Sequence, residues 1–134
     1  MNNVPGDQLS ILLVCPTGLA QMSLVTAVNA FSWAKVIARA KDIESALLVA
    51  REMAPDVIMA DAYFLGDLVS DLLLHTKAIS PKILLVVLAG TSLQKKRFLS
   101  EGADIVLDYN DITIQFPQVL SLSRLRANDE ERRN

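Results

Sequence analysis

Apolar residues fall along this chain in two alternating patterns, short unbroken runs and longer stretches at helical spacing, and this alternation carries most of what the sequence says. Pro55-Asp56-Val57-Ile58-Met59-Ala60-Asp61 is the clearest run. Four consecutive apolar residues cannot alternate between a core and water, so they predict a strand covered on both faces, as in a parallel sheet flanked by helices. Ile11 to Cys15 and Lys82 to Leu88 read the same way, Lys35 to Ala40 as a shorter strand, and Asp104 to Tyr109 as a fifth, with Ile105 and Leu107 on one face and Val106 on the other.

Between the runs the spacing changes to three and four residues. Thr17 is the expected cap of a first helix whose inner face is Met22, Leu24, Val25, Val28 and Phe31. Asp42 is the expected cap of a second, with Ile43, Ala46, Leu47, Ala50 and Met53 inward and Pro55 ending it. Ala62 to Gly66 reads as a loop before a third helix, Asp67 to Ile79. There Leu72, Leu73 and Leu74 sweep about 200° and cannot all face one sheet. Leu93 to Ser100 is a fourth helix closed by Gly102, and Asn110 to Phe116 a loop. Pro117 suits the first turn of a fifth helix carrying Val119, Leu120, Leu122 and Leu125. Five strands in strict alternation with five flanking helices give an α/β, doubly wound five-stranded parallel sheet, most simply in the order 2-1-3-4-5, a flavodoxin-like fold. Residues 1–126 form the expected domain. Residues 127–134, almost wholly polar and including Glu130-Glu131-Arg132-Arg133, form a solvated tail or the start of a linker.

Composition narrows the picture. With 134 residues, one domain is expected, and 51% apolar content excludes a disordered chain. Thirteen basic residues against fifteen acidic ones give a net charge of −2, so nothing draws the whole domain to nucleic acid or anionic lipid. The single cysteine, Cys15, and single histidine, His75, argue against a disulfide or a zinc site. No run approaches membrane-spanning length and the first ten residues carry no Lys or Arg, so the expectation is a soluble, cytoplasmic protein. A mean hydropathy of +0.34 is high for a small soluble domain and points to a surface that meets a partner.

Ligands in open α/β sheets gather at the carboxyl ends of the strands, which makes Asp61 the first candidate. The run Ser45 to Asp61, SALLVAREMAPDVIMAD, followed by Gly102-Ala103-Asp104, resembles the receiver domain of bacterial two-component response regulators, over about Ile11 to Arg126. The resemblance implies a CheY-like fold and gives Asp61 the place of the phosphoryl-accepting aspartate. It also shows what is missing. The two acidic residues expected after the first strand correspond to Cys15 and Pro16, and the Thr or Ser after the fourth to Ala89. The lysine of the fifth strand corresponds to Tyr109, the proline after it to Asn110 and the switch aromatic to Val106. Phosphorylating a carboxylate brings anions together that a divalent cation must bridge, and a thiol and a proline do not replace carboxylate ligands. Losing one preorganised donor commonly costs about 3 kcal/mol in such a transition state.

The expectation is therefore a pseudo-receiver: not an enzyme, without cofactor because the family's Mg2+ site is lost, acting in signal transduction by protein–protein interaction. Its partner is another protein or an output domain, or a second copy in a homodimer. The expected contact face is the fourth helix, fifth strand and fifth helix, with Leu93, Lys96, Arg97, Phe98 and Tyr109 on it. A hydrogen bond from the Tyr109 phenol to Asp61 is a further expectation. The residues leave two alternatives open. Asp61 is a working phosphoacceptor by an unusual route, or Cys15 is a phosphocysteine, since Cys15-Pro16-Thr17-Gly18-Leu19-Ala20 resembles the active-site loop of fructose-type phosphotransferase IIB domains. There a turn and helix N-terminus facing the thiol lower its pKa. Against that stand Gln21, where that family usually has histidine, and the plainer account of Cys15 as a small buried hydrophobe. His75 is expected on an exposed helix face, and Lys95-Lys96-Arg97 as a solvated cluster.

Overall fold

The computed structural model describes residues 8–133; the first seven residues of the expected domain, and Asn134, lie outside them. Strands β1 (Leu9–Val14), β2 (Ala34–Ala40), β3 (Val57–Asp61), β4 (Leu84–Ala89) and β5 (Ile105–Asp108) form one parallel sheet in the order β2-β1-β3-β4-β5, as the alternation predicts. Helices α1 (Leu19–Asn29), α2 (Ile43–Met53), α3 (Ala62–Leu65), α4 (Leu68–Ile79), α5 (Ser92–Ser100), α6 (Ile112–Gln115) and α7 (Pro117–Arg133) surround it, with a 3₁₀ turn at Tyr109–Asp111.

The two faces of each strand feed two cores. Leu12, Val14, Ile58, Ala60, Leu85, Val87 and Val106 point to the layer of α2 to α5, and Phe98 of α5 fills that core. Ile11, Leu13, Val57, Met59, Val86 and Leu107 point to α1, α6 and α7, where Leu24, Val28, Phe116 and Val119 meet them. β3 and β4 are buried at every position, which is why their sequences run apolar without alternation. Of the leucine triplet, Leu72 and Leu73 are buried and Leu74 is exposed, as the 100° sweep requires.

Polar clasps fix the sheet's amino-terminal edge. The Ser10 and Asp56 side chains bind reciprocally: Ser10 N and Oγ donate to Asp56 Oδ2 at 2.8 and 3.0 Å, and Asp56 N donates to Ser10 Oγ at 2.9 Å. Asp104 accepts from Leu85 N at 2.7 Å, from the Arg126 guanidinium, and pairs with Lys77 at 3.7 Å, so it ties β5 to β4, α4 and α7.

Several expectations need correction. Seven helices stand among the described residues where five were expected, because the segments read as loops, Ala62 to Gly66 and Asn110 to Phe116, each close into a short helix. Thr17 does not cap α1. Gly18 holds that place at φ 133°, a conformation that disfavours any residue with a Cβ, and no side chain caps the helix. Met22 is exposed and the buried positions of α1 are Gln21, Leu24 and Val28, while Met53 at the end of α2 is half exposed. The polar stretch after Arg126 continues α7 as helix to Arg133. Asp42 caps α2 as expected, accepting from Ser45 N at 2.8 Å, but the helix ends on Ala54 in the left-handed region at φ 45°.

Candidate functional site

Asp61 closes β3 at the carboxyl edge of the sheet, and the register that pairs Val14 with Ala60 sets Cys15, one residue on, beside it. Both are fully buried. The Asp61 carboxylate has two partners: Oδ1 accepts from Tyr63 N at 3.0 Å, which caps α3, and Oδ2 accepts from Cys15 Sγ at 3.7 Å. Burial raises the Asp61 carboxyl above the ordinary aspartate range, and the Tyr63 amide, the Cys15 thiol and the Phe64 amide only partly oppose it. Burial first, and then the neighbouring carboxylate, push the Cys15 thiol up to about 12.

This reverses the thiol chemistry that the Cys15 loop suggests in sequence. A turn that favours a thiolate would lower the pKa; a carboxylate at hydrogen-bond distance in a dry site raises it. Cys15 is a thiol donor here. Its own carbonyl accepts from Gln21 Nε2 at 2.7 Å, and Gln21 is itself buried. Sequence reasoning missed Gln21 as a supporting residue. It stands one residue before Met22 and three before Leu24, so the inner face runs through Gln21, Leu24 and Val28 and leaves Met22 outside.

The other positions lie around this pair. Pro16 is half-buried and offers no side-chain donor or acceptor. Ala89 and Val106 are buried, and with Gly90, Thr91, Lys95 and Gln115 they line a cavity of about 210 Å³. Where the resemblance expects a hydroxyl and an aromatic ring, the two small apolar side chains form part of that cavity's wall. Tyr109 starts the 3₁₀ turn and does not bond Asp61, correcting that expectation: the donors on the carboxylate are the Tyr63 amide and the Cys15 thiol. Its ring lies 6.5 Å from that of Tyr63, close enough to the buried pair that desolvation first, then Asp61 and Cys15, raise its phenol.

A divalent cation does not fit this donor set. The carboxylate is sealed from solvent, its Oδ2 is engaged by a neutral thiol, and the residue after that thiol is proline, whereas magnesium demands an octahedron of oxygens.

The expected contact face is also changed. Leu93 and Lys96 are exposed on α5, but Phe98 is 1% exposed: it points to the sheet at helical spacing and belongs to the core. Arg97 is engaged within the molecule: Nη1 donates to Asp67 Oδ1 at 2.5 Å, Nη2 to Ser70 Oγ at 3.1 Å and Nε to Glu101 Oε1 at 3.2 Å. Tyr109 is half-buried against Tyr63, over the carboxyl edge. His75 is exposed, as its place on α4 predicts.

The sequence matches no protein-family model, and no curated protein matches it. Solved structures do. The chain is similar to the response regulator domain of Thermotoga maritima CheB, at 20% identity and a TM-score of 0.70 over 90% of this chain and 97% of that one. It is similar to the REC domain of AraT, a response regulator from Geobacillus stearothermophilus, at 17% identity and a TM-score of 0.72 over 92% and 98%. It is also similar to the receiver domain of the sensor histidine kinase PA1611 from Pseudomonas aeruginosa PAO1, a structure with magnesium coordinated in its active-site cleft, at 18% identity and a TM-score of 0.71 over 84% and 94%. The fold is that of response-regulator receiver domains, CheY-like, as the resemblance in sequence implies.

Proposed function

We propose that this chain is a signalling module of receiver fold that works through protein–protein contacts, with no phosphorylation of Asp61 and no catalysis of its own. The observation that carries this reading is the sealed Asp61–Cys15 pair. A phosphoryl acceptor must present a carboxylate oxygen in line with the incoming group, and Asp61 presents none to solvent. The charge that develops on the phosphoryl oxygens calls for cations and donors aimed at them. Ala89 and Val106 supply neither, and Tyr109 is a phenol whose ionisation burial disfavours.

With the hydroxyl and the aromatic replaced, no contact differs between a modified and an unmodified state, so nothing drives a modification-dependent shift. The signal then resides in what the surface binds: a protein partner or an attached output domain, in the cytoplasm. The phosphocysteine alternative is opposed by the same geometry, because a buried thiol with its pKa at about 12 is not a nucleophile near neutral pH.

Intact-mass spectrometry after incubation with acetyl phosphate and magnesium tests this directly. No phosphoryl adduct is expected on the natural chain or on Asp61→Asn. An acid-labile adduct present on the first and absent from the second refutes it. Incubation with a phosphotransferase phosphocarrier, read at Cys15, tests the thiol in the same way.

A further inference from the structure

The cavity of about 210 Å³ at the carboxyl ends of β4 and β5 brings groups of both charges to one space. Register sets its walls. Ala89 closes β4 beside Asp108 at the end of β5, and Gly90 and Thr91 turn the chain from there into α5. Ala89, Val106 and Leu107 are buried and form the apolar depth of the cavity, whereas Thr91, Ser92 and Lys95 are exposed and form its rim. Neither Asp61 nor Cys15 lines it.

Its polar groups are only partly used. Lys95 and Asp108 line the same cavity, yet among the described residues neither belongs to an ion pair; the pairs are Lys77 and Arg126 with Asp104, and Arg97 with Asp67 and Glu101. Thr91 Oγ1 accepts from Gln94 N at 3.1 Å and keeps its own proton to donate. Gln115 Oε1 accepts from Asp108 N at 2.7 Å, and its Nε2 donates to no group among the described residues. Asp108 Oδ1 accepts from Asn110 N at 2.9 Å, and Oδ2 has no donor among them.

We propose that this cavity binds a small zwitterion, a free α-amino acid with a short side chain, holding its carboxylate on Lys95 and the Thr91 and Ser92 hydroxyls and its ammonium on Asp108. Charge selects the class. A lone anion on Lys95 meets the Asp108 carboxylate in the same space, and a lone cation on Asp108 meets Lys95; a ligand carrying both signs is repelled by neither. A carboxylate offers about four acceptor directions, which the ammonium of Lys95 and the two hydroxyls address, and the first turn of α5 adds its positive end. An ammonium has three protons and no acceptor, which suits the free Asp108 oxygen. Size selects within the class. At about 30 Å³ for each water the cavity has the volume of about seven, so the ligand has about six to eight non-hydrogen atoms, its side chain resting on Ala89 and Val106. The inference goes beyond the protein-contact reading: a ligand joining α5 to the end of β5 makes a contact that differs between bound and free states, and that difference is what a surface shift requires.

Amide NMR spectra of the natural chain, titrated with L-alanine, L-threonine or L-valine to about 10 mM, read this. Saturable shifts at Gly90, Ser92 and Asn110 and at the Gln115 side chain are expected with at least one of them, at a Kd below about 1 mM. Acetate and ethylamine, each carrying one sign, should bind at least about tenfold more weakly. Lys95→Met and Asp108→Asn should each weaken amino-acid binding by about tenfold or more, and Lys96→Met, outside the cavity on the same helix, by less than about twofold. Lys95 is exposed and asparagine keeps Oδ1 for Asn110 N, so both chains should fold, which unchanged amide shifts in β1 and β3 check. No saturable shift with any of the three, acetate or ethylamine binding as tightly as the amino acid, or indifference to either cavity variant overturns the proposal. Failure without a phosphoryl adduct removes the amino-acid site alone, whereas an adduct on Asp61 removes the protein-contact reading and leaves the cavity result standing.

Discussion

Asp61→Asn should stabilise this protein, and more so as pH rises. The carboxylate is fully buried, and of its roughly four acceptor directions only two are used, by the Tyr63 amide and the Cys15 thiol. No cation pairs with it among the described residues. Burial raises its pKa in the folded state above the unfolded value near 3.9. A group raised in this way favours the fold fully below its unfolded pKa, because there both states hold the proton. That contribution is lost as pH climbs through the folded pKa, where the native chain must ionise a sealed site or keep binding a proton the unfolded chain has released.

Asparagine keeps the Oδ1 acceptor for Tyr63 N and carries no charge to desolvate. The thiol loses an acceptor, a weak loss of about 0.5 kcal/mol, against a gain of about 1 to 3 kcal/mol from removing an unpaired buried charge. The net expectation at pH 8 is stabilisation of about 1 to 2 kcal/mol. For a chain of this length that is about 3 to 8 °C in Tm, or about half to one molar in the urea midpoint. Urea denaturation of both chains at several values between pH 4 and pH 8 makes the measurement, with the advantage of asparagine growing over that range. An advantage constant with pH, or a loss at pH 8, would refute the picture of a sealed, uncompensated carboxylate.

Three further outcomes follow from the same structure. The Cys15 thiol, pushed up to about 12, contributes stability that is whole below the unfolded thiol pKa of about 8.5 and is lost as pH rises above it; the natural chain should lose about 1.4 kcal/mol per pH unit from there to about pH 10, a slope that Cys15→Ala removes. Asp104→Ala should cost about 2 to 4 kcal/mol by orphaning Leu85 N and leaving Arg126 and Lys77 without their carboxylate, and Asp104→Asn should recover about half, both read from chemical denaturation. Ala54→Gly should raise Tm by about 2 to 4 °C, because Ala54 ends α2 at φ 45°, where glycine relieves about 1 kcal/mol of strain; an unchanged or lower Tm contradicts that cap geometry.

The sheet was legible because each strand's burial is written directly in its residues. Val57 to Ala60 and Leu84 to Leu88 are apolar without a break because both faces are covered, and no other arrangement tolerates that run. The alternation with helices then leaves few topologies, and the observed order is the simplest of them. What was not legible is short or depends on distant partners. α3 and α6 have four residues each, too few for a helical period to register, and α3 exists because the Asp61 side chain caps it. Met22 carries an apolar side chain to the surface while Gln21 carries a polar one inside, and only the Cys15 carbonyl that Gln21 satisfies makes sense of the exchange. Phe98 and Arg97 sit next to each other in a basic cluster, yet one fills the core and the other is bound by Asp67, thirty residues earlier.

Asp61 shows how position and chemistry part company. A strand end at the carboxyl edge of an α/β sheet is where reactive groups stand, and sequence alone selected this residue. Reactivity there depends on neighbours that keep the carboxylate ionised and accessible, and those neighbours come from other strands. Here the residue across from it is a thiol that donates to the carboxylate: burial and the carboxylate raise the thiol pKa, burial raises the carboxyl although the thiol partly opposes it, and the thiol stands on Oδ2. The pair is self-consistent as a piece of core, with both residues fully buried. Restoring an acid at Pro16 alone would therefore not restore a site. The Cys15 thiol would still occupy Oδ2, and a working centre requires replacing both together.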